Sequence, residues 1–114
     1  MNTFPARFEK PKKGYAPRED SWLLAHALMK EKKLIEEKKC VDMGCGSGIQ
    51  TAALIQSEAK EVMCVDVNSH ALSATKKMGE KRFPTKKEKV KYIESNLFEK
   101  VNETFDVIVF NPPY

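Results

Sequence analysis

The feature that most constrains this chain is Asp42-Met43-Gly44-Cys45-Gly46-Ser47-Gly48, three glycines at alternate positions directly after the apolar pair Cys40-Val41. Glycines permit positive φ and let backbone approach a ligand closely, and a helix opening behind them points its first N–H groups into the turn. Dinucleotide-binding folds use a related turn, so the spacing has to be read closely. Here it is G-x-G-x-G, and Ile49 stands where a G-x-G-x-x-G pattern puts its last glycine. Asp42 sits at the strand end, two residues before Gly44. A carboxylate there suits a ligand bearing an ammonium and a sulfonium better than one bearing a pyrophosphate. Two anions about 4 Å apart repel by several kcal/mol at an intermediate dielectric.

The surrounding pattern is that of an α/β sandwich. Apolar runs predict strands at 39–43, 61–67, 90–94 and 105–110, the last nearly all apolar. Helices are predicted from Asp20 or Ser21 to about Lys33, from Ile49 to Ser57, and from an Asn68 or Ser69 cap to about Lys81, where Pro84 ends the run. In the first helix Leu23, Leu24, Ala27 and Leu28 form the expected apolar stripe. Strands without polar alternation imply a sheet covered on both faces, hence parallel. The link between the third and fourth strands, about 95–104, is short for a crossover helix and has room for one or two turns.

A chain of 114 residues with 41% hydrophobic content suits one small domain. No apolar run reaches the eighteen or so residues that span a bilayer, and the basic, proline-punctuated start is unlike a signal peptide. Cys40, Cys45 and Cys64 are odd in number, and two lie in strand-like runs, which reads as reduced thiols of a cytoplasmic protein. Without a CxxC pair or a nearby histidine, no metal site is expected. The net charge of +4 comes from lysines interleaved with glutamates. No aromatic residues alternate with them, so solvated helix faces are favoured over a nucleic-acid footprint.

Three further places carry candidate chemistry. Asp66, at the end of the second strand, suits two hydrogen bonds from ribose hydroxyls. Asn96 and the Leu97 backbone follow the third strand. Asn111-Pro112-Pro113-Tyr114 follows the fourth, at the carboxyl end of the sheet, where doubly wound folds bind ligands. An amide is a poor nucleophile because its lone pair is delocalised. The Asn111 side-chain oxygen and the Pro112 carbonyl can each accept one of its N–H groups, and both bonds strengthen as positive charge develops on nitrogen. Tyr114 offers a flat face for a flat acceptor. No general base is needed before the transition state, and His26 and His70 read as helix-surface residues.

Tyr15-Ala16-Pro17-Arg18-Glu19-Asp20-Ser21-Trp22-Leu23-Leu24, together with Asp42–Gly48, Asp66 and Asn111–Tyr114, resembles the HemK-like glutamine methyltransferases. Within them it is most similar to the archaeal and eukaryotic branch with a short N-terminus. The resemblance implies a Rossmann-like class I methyltransferase sandwich with S-adenosyl-L-methionine as cofactor. The implied reaction is methylation of the glutamine amide in the Gly-Gly-Gln loop of a peptide-release factor. The last motif is shared with adenine-N6 methyltransferases, so a nucleic-acid base (adenine N6 or guanine N2) is the alternative substrate, and a cofactor-binding part without turnover of its own is another.

By the same resemblance Ser21, Asp42 and Gly44 hold the methionine end, within the loop that Gly46 and Gly48 complete. Asp66 holds the ribose, Asn96 and Leu97 the adenine, and Asn111 lies between cofactor and acceptor. The family usually has aspartate where this chain has Asn96, so the asparagine carbonyl oxygen must face the adenine amino group. The branch often works with a small zinc-binding activator, which enters as an expected partner. The family's sheet runs 3-2-1-4-5-7-6, and this sequence ends with its fourth strand and the motif after it. The expectation is therefore an arm over residues 1–18 and a cofactor-binding domain over 19–114, incomplete at its C-terminus.

Overall fold

A computed structural model describes residues 19–110. The predicted arm and the Asn111–Tyr114 motif lie outside the described residues. The elements are α1 (Glu19–Lys30), α2 (Lys32–Ile35), β1 (Lys39–Met43), α3 (Ile49–Gln56), β2 (Glu61–Asp66), α4 (Ser69–Arg82), a 3₁₀ helix (Pro84–Lys89), β3 (Val90–Glu94) and β4 (Val107–Phe110). The four strands form one parallel sheet in the order β3-β2-β1-β4. That is the order expected for the first four strands of the sandwich.

Burial follows the pleat, because alternate side chains leave opposite faces of a strand. On one face Cys40, Val62, Cys64 and Val109 pack against Leu54 and Ile55 of α3 and Leu72 of α4. Every residue of α3 from Ile49 to Ile55 is buried, so this is a core helix without a solvent face. On the other face Val41, Met43, Met63 and Val65 pack against Val101 and Phe105. Those two residues belong to the link between β3 and β4. It must cross the whole sheet, three strand spacings or about 14 Å, and residues 95–106 do so with a few turns and a stretch of irregular chain, without a helix. Its turns are confined to the stretch just after β3.

Two expectations are corrected. The buried side of α1 is Ser21 and Ala25, flanked by half-buried Trp22, Leu24, Leu28 and Met29, while Leu23 and Ala27 are exposed. Apolarity alone did not fix the rotation of this helix, because the stripe is set by what faces α3. The fourth strand begins at Val107, not Phe105. Asp106 instead locks the strand's entrance: its amide donates to the Lys39 carbonyl at 2.8 Å, and its Oδ2 accepts from the Lys39 amide at 2.9 Å. Aspartate is a poor strand residue and a good local acceptor, which is why pairing starts one residue later.

Candidate functional site

The carboxyl ends of the four strands converge on the glycine loop. Gly44, Gly46 and Gly48 have φ of 72°, 50° and 83°. Gly48 caps α3 and abuts α4, where a Cβ would meet Thr75 Oγ1 at 2.9 Å and Met78 Cε at 3.1 Å. The loop amides are tied to the next strand. Gly44 and Cys45 donate to the Val65 carbonyl at 2.7 and 3.0 Å, and Gly46 donates to Asp66 Oδ2 at 3.0 Å. Gly48 donates to the Cys45 carbonyl at 2.8 Å. A loop with these amides already bonded is a poor cradle for a pyrophosphate, which needs free N–H donors.

Asp42 is the most unusual group in the site. It is 1% exposed, and its Oδ2 accepts a hydrogen bond from Thr51 Oγ1 at 2.7 Å. Its Oδ1 is buried with no partner. Burial pushes its pKa up to about 7, the hydrogen bonds from Thr51 work against that, and the nearby Asp66 charge adds to it. A buried carboxylate with one oxygen unserved is costly unless a proton or a cationic donor supplies the missing bond.

Asp66 is held by the loop it supports. Oδ2 takes the Gly46 amide, and Oδ1 takes the Asn68 amide at 2.9 Å. Asn68 in turn caps α4, accepting from His70 and Ala71 amides at 2.8 and 3.2 Å. Each Asp66 oxygen retains a second lone pair, so hydroxyl donors remain compatible with it. The Asp66 carbonyl accepts from the Ser95 amide at 3.0 Å, joining the ends of β2 and β3.

The turn after β3 is shaped by Ser95, which sequence reasoning did not single out as a site residue. Its hydroxyl donates to the Leu97 carbonyl at 2.9 Å and accepts from the Lys100 amide at 3.0 Å. Leu97 is thereby held at φ 54° and half exposed, with Asn96 exposed beside it. On the fourth strand, Phe110 Cε1 lies 3.8 Å from where a Gly44 Cβ would stand, so the end of β4 borders the loop.

The structure therefore brings Asp42, Gly44, Gly46, Gly48 and Asp66 together and puts Asn96 and Leu97 one hydrogen bond beyond them. Ser21 lies in the first turn of α1, where its carbonyl accepts from buried Gln50 Nε2 at 2.9 Å. Asn111, Pro112 and Tyr114 lie outside the described residues, though Asn111 directly follows Phe110 in sequence. Thr51 and Thr75 were missed. Their only signal is a small hydroxyl at a buried helical position. His26 and His70 are exposed on their helices, as expected. The three cysteines are free and buried, and burial pushes the pKa of all three thiols up, so they stay protonated. Among the described residues no group of side chains is arranged to hold a metal ion, and no helix is long and apolar enough to cross a membrane. A cleft of about 440 Å³ between α4, the 3₁₀ helix and β3 is lined by Lys76, Lys86, Lys87 and Tyr92 among others, and by none of the site residues.

Residues 19–114 match the family profile described as methyltransferase small domain. The chain belongs to that family. A Methanocaldococcus jannaschii protein named as a protein N5-glutamine methyltransferase is 35% identical over 100 residues, covering 88% of this chain and 47% of that protein. The release factor glutamine methyltransferase of Fusobacterium nucleatum is 37% identical over 101 residues, 86% of this chain and 28% of its own length. Ribosomal RNA methyltransferases are among the other relatives. The chain thus spans about half the length of these relatives, or less. Among solved structures, the ribosomal protein L11 methylase of Lactobacillus delbrueckii subsp. bulgaricus superposes with a TM-score of 0.74 at 22% identity, over 90% of this chain and 50% of that one. The cofactor of this methyltransferase small domain is S-adenosyl-L-methionine. The residues fit that group: the unserved Asp42 Oδ1 suits a cationic donor, and the amides of Gly44, Cys45, Gly46 and Gly48 are already bonded within the protein.

Proposed function

We propose that this chain forms the cofactor-binding part of an N-methyltransferase acting on the glutamine side-chain amide of a peptide-release factor. The observation that carries the cofactor half of this reading is the buried Asp42 with an unserved Oδ1 beside the glycine loop. The substrate half is supported by the two glutamine methyltransferases just described and by Asn111-Pro112-Pro113-Tyr114 immediately after β4.

When bound, S-adenosylmethionine supplies a methyl carbon made electrophilic by its positive sulfur. Asp42 binds the ammonium of the methionine end, with Gly44 and Ser21 beside it. Asp66, already fixed by two backbone amides, accepts from the ribose hydroxyls. Asn96 takes the adenine amino group with its side-chain oxygen, and Leu97, whose carbonyl is bonded to Ser95, offers its N–H. Asn111 and the Pro112 carbonyl orient the acceptor amide by accepting its two N–H groups. Each such fixed dipole stabilises the transition state by about 2–4 kcal/mol. Held in this way, the acceptor nitrogen would be aimed at that methyl carbon, with sulfur as the leaving group, and the nitrogen's surplus proton would pass to water.

The same reading takes the protein to be cytoplasmic and gives it a small zinc-binding activator as a partner, as the resemblance implies. Incubation of the complete gene product with labelled cofactor and release factor, against ribosomal RNA and DNA, tests the substrate. Label in the release factor that disappears when its Gly-Gly-Gln glutamine is replaced supports the reading. Label in nucleic acid alone overturns it.

A further inference from the structure

Asp42 has two oxygens in two different situations, and the difference is made by one residue of α3. Thr51 has 0% exposure, and its hydroxyl owns a single proton. Its oxygen lies 2.7 Å from Asp42 Oδ2 and 3.1 Å from Cys64 Sγ. With Asp42 ionised, Oδ2 only accepts, so the threonine proton goes to Oδ2, and the Cys64 thiol, placed within reach of the same hydroxyl, is the donor to threonine. The result is a directed chain, thiol to hydroxyl to carboxylate, running from β2 through α3 to β1. It occupies Oδ2 and leaves Oδ1 with no protein donor.

We propose that Thr51 is a positioning residue for cofactor binding: by holding Oδ2 it reserves Oδ1 as the atom that exchanges a proton for the cofactor's ammonium. This rests on the cofactor assignment made above. Without ligand, Oδ1 is the oxygen that carries a proton, because Oδ2 is engaged as an acceptor. When an ammonium arrives, its N–H takes the place of that O–H, and the displaced proton goes to buffer. The other titratable groups that face Asp42 are Asp66, beyond the glycine loop, Cys64, its neighbour in register on β2, and Cys45 of the loop. Both thiols stay protonated. Asp66 carries the only competing negative charge among them, and it opposes ionisation of Asp42. Val109, the register partner on β4, brings no charge.

The measurement is calorimetry of S-adenosylhomocysteine binding to the complete gene product between pH 6 and 8, in buffers of different ionisation enthalpy. Wild type is expected to release nearly one proton at pH 6 and progressively less toward pH 8. Asp42→Asn releases none at any pH. Thr51→Val, which keeps the shape but removes the donor, binds about tenfold more weakly at pH 8, the usual scale for a hydrogen bond to a charged group. Its proton release also persists to higher pH. Thr51→Ser restores both. If the valine variant does not fold, Thr51→Ala is read in the same way. Proton release absent in wild type, or unchanged affinity and pH profile in the variant, overturns the proposal. So does a loss that is uniform with pH and not rescued by serine, which marks Thr51 as packing only. Failure of wild type to bind S-adenosylhomocysteine overturns the cofactor assignment itself, and this proposal with it.

Discussion

Asp42 and Asp66 are two carboxylates at adjacent strand ends with opposite environments. Asp66 is half-buried and served by two backbone amides, whereas Asp42 is sealed in with one oxygen unserved. That contrast gives a sign for stability. In the unfolded chain Asp42 releases its proton near pH 4, but in the folded state it does so only near 7. Folding therefore retains a proton between those values. The contribution is fully present below about pH 4 and lost as pH rises to about 7, amounting to ~4 kcal/mol at most for three pH units. Asp42→Asn removes this dependence. Thermal melts of the ligand-free protein at pH 5 and 8 check it, and an equal drop in both proteins means the aspartate is not the source. At the other carboxylate, Asp66→Ala is expected to abolish cofactor binding. On the proposed reading it removes the acceptor of ribose hydrogen bonds worth about 1.5–3 kcal/mol each, and it also releases the Gly46 amide. Asn111→Ala is expected to leave affinity mostly intact while turnover collapses, since the bond proposed for it strengthens only as charge develops. Calorimetry showing equal affinity losses for the two variants contradicts this division of roles.

At the scale of elements, the strands, their order and the caps were legible in the sequence, but the rotations of the helices were not. β1 and β3 match residue for residue because their ends are marked by charge and glycine, and α4 begins where Asn68 can accept two amides. The glycine loop and Asp66 were singled out from spacing as candidates, and the structure joins them by a bond of 3.0 Å. Thr51, Thr75 and Ser95 stayed hidden, since serine and threonine are ordinary in any sequence and become informative only when burial leaves their hydroxyls a single set of partners. The acceptor motif was legible as a motif, and its geometry lies beyond the described residues. The contact between α3 and α4 gives a sharp expectation. Gly48→Ala has to keep a positive φ and push a methyl to within 2.9 Å of Thr75 Oγ1. It is expected to cost about 1–3 kcal/mol, because left-handed backbone alone disfavours a side chain by that order. Urea titration of the variant reads it. A loss below half a kcal/mol means the loop relaxes away from α4.

At the scale of the whole molecule, the weak point is the outer side of β4. Among the described residues β4 pairs only with β1, and its other edge has N–H and C=O groups facing no strand. Ile108 and Phe110, which point to the face crossed by the link, are 57% and 49% exposed. The burial pattern of this strand alternates, although its sequence reads as a strand buried on both sides. Such a run belongs inside a sheet. Burying a side chain of this size is worth roughly 1.5–3 kcal/mol, a large amount for a small domain to forgo. No lysine, proline or bulge within Val107–Phe110 blunts the edge, so it is a template for pairing with another chain. The M. jannaschii relative, of which this chain covers 47%, is long enough to add further structure beside it. A polypeptide of these 114 residues alone is therefore expected to self-associate through β4 or to be poorly soluble. Ile108→Lys is expected to reduce that association without disturbing the core, because the side chain already faces outward. Light scattering across a concentration series reads both. A stable monomer at high concentration, unfolding cooperatively, means that this edge is covered by the chain's own residues.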